Sequence, residues 1–237
     1  MDNSHRNTNI SETYRLPTAD EYAWQEPPVS RSDGWAAKAA RLVSGALHPF
    51  LVPVYSIAVF MFGGTMIAAA PVRLKWFFSL MIVLVALVIP ALSIGLLRAL
   101  RIISDFSMKR RQDRTIPIAI VALSYGLCIV MVTDIMWGFM IRKFLIAAFC
   151  CAVSALAITP FWKISLHMIA AGGATAMFIV LNIAGIGSMF WPMVAAILLS
   201  GALGSSRLYL GSNSPAQVGA GYLLGLTLSA ATMLLIH

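Results

Sequence analysis

Three clusters of basic and hydroxyl-bearing residues interrupt an otherwise apolar chain, and their side-chain types suit the binding of a tetrahedral oxyanion. The first is Ser107-Met108-Lys109-Arg110-Arg111-Gln112-Asp113-Arg114-Thr115-Ile116-Pro117, preceded by Arg98 and Arg101. The second is Pro160-Phe161-Trp162-Lys163-Ile164-Ser165-Leu166-His167, and the third runs from Ser205-Ser206-Arg207 through Asn213 to Gln217. Guanidinium forks and a lysine point charge match the oxygens of a phosphate. An imidazole such as that of His167 can give or take a proton near neutral pH.

The elements that must position these residues are membrane helices. Of 237 residues, 59% are hydrophobic and 11% charged, against roughly 25% charged in a typical soluble domain. The mean hydropathy is +0.84, which excludes an ordinary soluble domain. Seven apolar runs are long enough, or nearly so, to cross a hydrocarbon layer of about 30 Å at about 1.5 Å per residue. They lie near Leu47–Ala69, Trp76–Leu97, Ile116–Trp137, Phe144–Phe161, Leu166–Ile186, Met189–Leu210 and Val218–Ile236. The expected fold class is therefore an all-α, polytopic membrane helical bundle of about seven transmembrane helices, covering residues 36–237. Residues 1–35 are polar and proline-dotted, with no signal-peptide pattern, and read as a disordered tail that turns helical near Trp35. Pro90, inside the second run, should kink it, whereas Pro117 should mark the start of the third. The turn at Ala184–Ser188 is short enough to make runs five and six antiparallel neighbours. Small residues spaced by four, Gly201 with Ser205 and Gly221 with Gly225, should let helix backbones approach within one chain, with a dimer surface as the alternative.

Parity then joins the chemistry to the architecture. Two crossings separate the first cluster from the second, and two more separate the second from the third, so all three should emerge on one membrane face. Arg114, Lys163, Ser165, His167, Ser206 and Arg207 can converge there, and His48, at the start of run one, belongs to the same face. Each residue alone has a simpler reading. Arg110 and Arg111 fit an orientation signal, Lys163 could snorkel to the interface, and His48-Pro49 could be a helix-entry turn. The net charge of +8 falls in loops between apolar runs, so anionic lipid headgroups rather than nucleic acid are the expected partners. The three cysteines, Cys128, Cys150 and Cys151, lie inside apolar runs with neither disulfide nor metal spacing.

At these residues the chain resembles the type 2 phosphatidic acid phosphatase (PAP2) superfamily, which includes the vanadium haloperoxidases. Its motifs are Lys-x6-Arg-Pro, Pro-Ser-Gly-His and Ser-Arg-x5-His-x3-Asp. Ser206-Arg207 through Asn213 and Gln217 to Gly225 is similar to the third motif and its helix. Ile164-Ser165-Leu166-His167 resembles the second, and Lys109 to Pro117 loosely resembles the first. Leu47-His48-Pro49-Phe50-Leu51-Val52-Pro53, Pro90-Ala91-Leu92-Ser93-Ile94 and Trp162–His167 resemble membrane members common in Bacteroidetes. The resemblance covers the chain from about Leu42 to its end. It implies a PAP2-like helical core, a lipid phosphate or pyrophosphate as partner within the lipid bilayer, and no cofactor. It assigns phosphate binding to Lys109, Arg114, Lys163, Ser165, Ser206 and Arg207, and the general-acid role to His167.

The third motif departs from the family where the chemistry is done. Asn213 occupies the position of the nucleophilic histidine and Gln217 that of its orienting aspartate. An amide nitrogen is not basic and cannot form a phospho-enzyme or ligate vanadate. Loss of a covalent nucleophile can cost on the order of 10⁶ in rate, about 8 kcal/mol. The sequence thus implies a membrane protein that binds a lipid phosphate headgroup, with phosphatase turnover near background. Two alternatives stay open: a lipid phosphatase using water activated by His167 or His48, and a non-enzymatic membrane scaffold or complex subunit. Protein partners are not specified by the sequence.

Orientation pits two arguments against each other. Of the 17 Lys and Arg residues, only Arg73, Lys75, Arg142 and Lys143 fall on the face opposite the motifs. Positive-inside reasoning puts the N-terminus and the motif face in the cytoplasm of a bacterial inner membrane. Bacterial relatives that hydrolyse lipid phosphates generally have the opposite arrangement.

Overall fold

The structure, a computed structural model, describes residues 34–64, 70–100, 112–132 and 138–236, without the side chains of residues 112–114. Lys109 and the side chain of Arg114 lie outside the described residues, as does the tail before residue 34. The described chain is helical, with no strand among the described residues. Helix α1 is Trp35–Ala46, α2 Leu51–Phe62, α3 Val72–Val83, α4 Ile89–Ala99, α5 Gln112–Met131, α6 Gly138–Ile158, α7 Leu166–Ile183, α8 Phe190–Tyr209 and α9 Pro215–Leu235.

Among the described residues, four segments are long and apolar enough to cross a membrane: Val72–Ala99, Gly138–Ile158, Leu166–Ile183 and Pro215–Leu235. Helices α1 and α2, bent by 62° at their junction, would together make a fifth. Thr115–Met131 is apolar but shorter. Leu80, Leu84, Leu92, Leu96, Leu123, Leu127 and Leu198 point outward from the bundle, an apolar exterior that only lipid satisfies. The chain is an integral membrane protein on this evidence.

The second sequence run is one long helix with a defect. A π-helical turn at Leu84–Val88 joins α3 to α4, and the Ile89 amide donates to the Leu84 carbonyl five residues back. Pro90 follows immediately and has no N–H to return to Ala86, so the wider turn absorbs the defect expected at that proline. Pro117 differs from expectation. It sits inside α5, because that helix already starts at Gln112.

Helices α7 and α9 form the closest pair, and glycine is the reason. A Cβ at Gly225 would collide with the Ile169 carbonyl, one at Gly172 with the Tyr222 carbonyl, and one at Gly221 would stand 2.8 Å from the Ser165 carbonyl oxygen. Without side chains at these points the backbones meet directly, as small residues allow in lipid. Gly201 and Ser205 do not follow suit. Both face outward, and a Cβ at Gly201 would meet nothing within 4 Å. Gly204, one position away, packs on Met168 and Val218 instead. The turn between α7 and α8 is tight, with Gly185 and Gly187 at φ of +67° and +100°, a region glycine reaches without Cβ strain. The largest apolar cluster, around Phe60, Phe78, Ile82, Ile141, Leu145 and Leu181, fills the interior among α2, α3, α6 and α7.

Candidate functional site

The α1–α2 junction, the α6–α7 loop and the α8–α9 loop meet at one end of the bundle. His48 lies in the first of these, outside both flanking helices. Its ring meets that of His167, in the first turn of α7, edge to face at 5.3 Å between centroids. It also packs on Phe50 at 4.8 Å, and the Phe50 amide donates to its Nδ1 at 3.4 Å.

Arg207 ends α8 and reaches across two elements. Its Nε and Nη2 both donate to Asn213 Oδ1, at 3.1 and 3.0 Å. Nη1 donates to Ser44 Oγ of α1 at 3.1 Å. Asn213, 3% exposed, donates in turn through Nδ2 to Gln217 Oε1 at 3.1 Å. The same Gln217 oxygen accepts from the Ser214 amide, and Ser214 Oγ accepts from the Gln217 amide, a reciprocal cap that starts α9. The polar chain Ser44–Arg207–Asn213–Gln217 ties α1, α8 and α9 together.

The remaining sequence candidates are placed as follows. Lys163 is half-buried in the α6–α7 loop. Ser165 is the N-cap of α7 but does not use its hydroxyl as a cap. Its Oγ is buried without a hydrogen-bond partner among the described residues, in a side chain only 2% exposed. Such an orphan costs about 1–3 kcal/mol unless an oxygen ligand or water meets it. Ser206 donates its hydroxyl hydrogen to the Ala202 carbonyl at 2.8 Å, so it offers lone pairs rather than a donor. His48, His167, Arg207, Asn213 and Gln217 are thus gathered in one cluster, with Ser165 beside Gly221 one turn further along α9.

Electrostatics at this end favour an anion. Helices α2, α7 and α9 all begin here, so the positive ends of three helix dipoles lie at this end of the bundle. No Asp or Glu occurs in the sequence from α6 to the last residue. Burial, and after it the positive charge of Arg207, hold the His48 imidazole below its ordinary range. It is a neutral base in the resting site.

Sequence reasoning missed Ser44. The signal was available: Ala37, Ala40 and Ser44 form the buried stripe of α1, and a lone hydroxyl on such a stripe calls for a partner. The absence of acids after Asp134 was also readable and points to an anion. No protein-family model, curated protein or solved structure matches this chain.

Proposed function

We propose that this protein binds the phosphate or pyrophosphate headgroup of a membrane lipid at the loop end of a PAP2-like bundle, without forming a phosphohistidine. The observation that carries the reading is the gathering of Arg207, His48 and His167 at one end of the bundle, where α2, α7 and α9 begin. A guanidinium at the positive ends of three helix dipoles is matched by a multiply charged oxyanion. The orphaned Ser165 hydroxyl supplies a further donor. Lys163 and the first-cluster residues Lys109 and Arg114 complete the cationic set on the motif reading.

In this account the bundle crosses a bacterial inner membrane seven times, with the run from Leu47 onward as the first crossing. The N-terminus and the site face the cytoplasm. Asn213 has become part of the scaffold, because its oxygen fixes Arg207 and its nitrogen fixes Gln217. Turnover by the phospho-enzyme route is closed.

A second reading draws on one specific contact. His48 and His167 stand side by side, one of them neutral, and could activate water at the phosphorus and protonate the leaving oxygen. Phosphate release from a lipid phosphate by the purified protein separates the two. The binding reading expects release at background, and robust release abolished by His167→Ala establishes the water-mediated route.

A further inference from the structure

Helix α1 carries three lengthwise stripes. Ala37, Ala40 and Ser44 are buried, and α8 is the helix against which α1 packs. Lys38, Arg41 and Gly45 are exposed along one flank. Trp35, Ala39, Leu42 and Ala46 are exposed along a third line. Steps of three and four residues keep each set on one face at about 3.6 residues per turn. Trp35 and Leu42, 84% and 73% exposed, are poor residues to leave in water.

Helix α8 gives the level of the lipid boundary. Helices α7 and α9 run in the same direction, since Gly221 meets Ser165 and Gly225 meets Ile169, so α8 returns between them. Trp191 and Tyr209, near its two ends, are both exposed. They share one face and lie about 27 Å apart at the helical rise. That is close to the hydrocarbon core of about 30 Å, at whose edges indole and phenol rings settle. Leu198, between them on the same face, is exposed and apolar. One edge of the bilayer therefore falls near Tyr209, and Arg207 beside it bonds Ser44 of α1. The 62° bend then sets α1 steeply to α2. Over its whole length α1 advances only about 8 Å along the direction of α2, and the headgroup layer on one side of a bilayer is about 5–8 Å deep.

We infer that α1 lies in the headgroup layer as an interfacial helix, with the Trp35–Leu42 stripe against acyl chains and Lys38 and Arg41 on the phosphates of anionic phospholipids. The occupant of this face is the bilayer surface itself and not a substrate, so the inference stands apart from the reading of the site. Charge complementarity commits it. Helix α1 has two cations and no acid, and basic side chains beside an apolar stripe with Trp and Leu are what an anionic membrane surface holds. The same seat braces the cluster, because the buried stripe brings the Ser44 hydroxyl to Arg207.

Spin labels on the full chain test the seat. Lys38→Cys and Ala39→Cys, in a background lacking the native cysteines, carry a nitroxide in nanodiscs of phosphatidylcholine and phosphatidylglycerol. The two positions adjoin along the axis and differ in face. Collision with oxygen, which concentrates in lipid, relative to a water-soluble nickel chelate should be several-fold higher for the label at Ala39 than for that at Lys38. Nickel contact at both would mean that α1 stands in water, as a face for a protein partner would, and oxygen contact at both would make it part of the span. Either overturns the inference. A second measurement keeps the native cysteines. The wild-type protein should restrict spin-labelled phosphatidylglycerol more than spin-labelled phosphatidylcholine, and Lys38→Gln with Arg41→Gln should cut that preference at least about twofold at low salt. An unchanged preference overturns the headgroup contact, and it alone decides if the cysteine-free background does not fold.

Discussion

Arg207 closes on Asn213 with two N–H groups sharing one amide oxygen, at 3.1 and 3.0 Å. On the resemblance to PAP2, Asn213 would stand at the position of that family's nucleophile. A histidine there would carry a lone pair for phosphorus. The amide instead holds the arginine and passes a hydrogen bond on to Gln217.

The first prediction restores that reactivity. Asn213→His combined with Gln217→Asp should raise phosphate release from phosphatidate at least about tenfold above the wild-type background, a fraction of the roughly 10⁶ attributed to a covalent nucleophile. Adding His167→Ala should return it to background. A double variant indistinguishable from wild type while still folded would deny the motif correspondence.

The clamp also has a stability signature. Asn213→Ala removes the acceptor that two Arg207 N–H groups share and one of the two donors to Gln217 Oε1. The expected loss is about 1–3 kcal/mol, seen as a lower thermal midpoint in detergent at a fixed scan rate. An unchanged midpoint would mean the network carries no stability.

Glycine substitutions should split by face. Gly225→Ala drives a methyl into the Ile169 carbonyl and should destabilise by about 1–3 kcal/mol, as overpacking does. Gly201→Ala meets open space and should be neutral or stabilising by up to about 1 kcal/mol through helix propensity. Both are read from the same thermal unfolding series.

These paired glycines also show how far the sequence reaches. The spacing of four is identical in Gly201/Ser205 and Gly221/Gly225, yet only the second pair touches a neighbouring helix. Spacing identifies a small-residue stripe but not the face it presents. Parity was more informative. Counting crossings puts the three loops at one end, and the second and third loops do meet there, with the α1–α2 junction beside them. The first-cluster residues Lys109 and Arg114 fall outside the described residues. Among the described residues four helices, or five with the bent pair, meet the length and apolarity of a span, where the sequence runs suggested seven. Apolar runs continue through breaks such as Leu47–Phe50, where the helix turns by 62°. The pairing of Ser44 with Arg207 joins residues far apart in sequence, and no local pattern encodes such a partner.

A pH dependence follows from His48. Its folded value lies below the ordinary 6.5, so below pH 6.5 the unfolded chain binds the proton that the folded site resists. This contribution to stability is complete above 6.5 and is lost as pH falls from there toward the folded value. Thermal midpoints measured from pH 7.5 to 5 should fall, and His48→Gln should flatten part of that slope. A slope unaltered by His48→Gln would assign the effect elsewhere.

Orientation is checked on intact cells with a membrane-impermeant thiol reagent, in a background lacking the native cysteines. A cysteine at Val72 should label and one at Ser107 should not. The reverse pattern places the site in the periplasm.

The central claim is binding of a lipid phosphate without turnover, and ³¹P NMR reads both halves at once. Phosphatidate is mixed with the purified protein in phosphatidylcholine nanodiscs and followed for hours. The account predicts a shifted or broadened phosphatidate resonance that Arg207→Gln restores to its free position, with no inorganic phosphate signal growing in. An unperturbed phosphatidate resonance would contradict binding, and a rising inorganic phosphate signal would contradict the loss of catalysis.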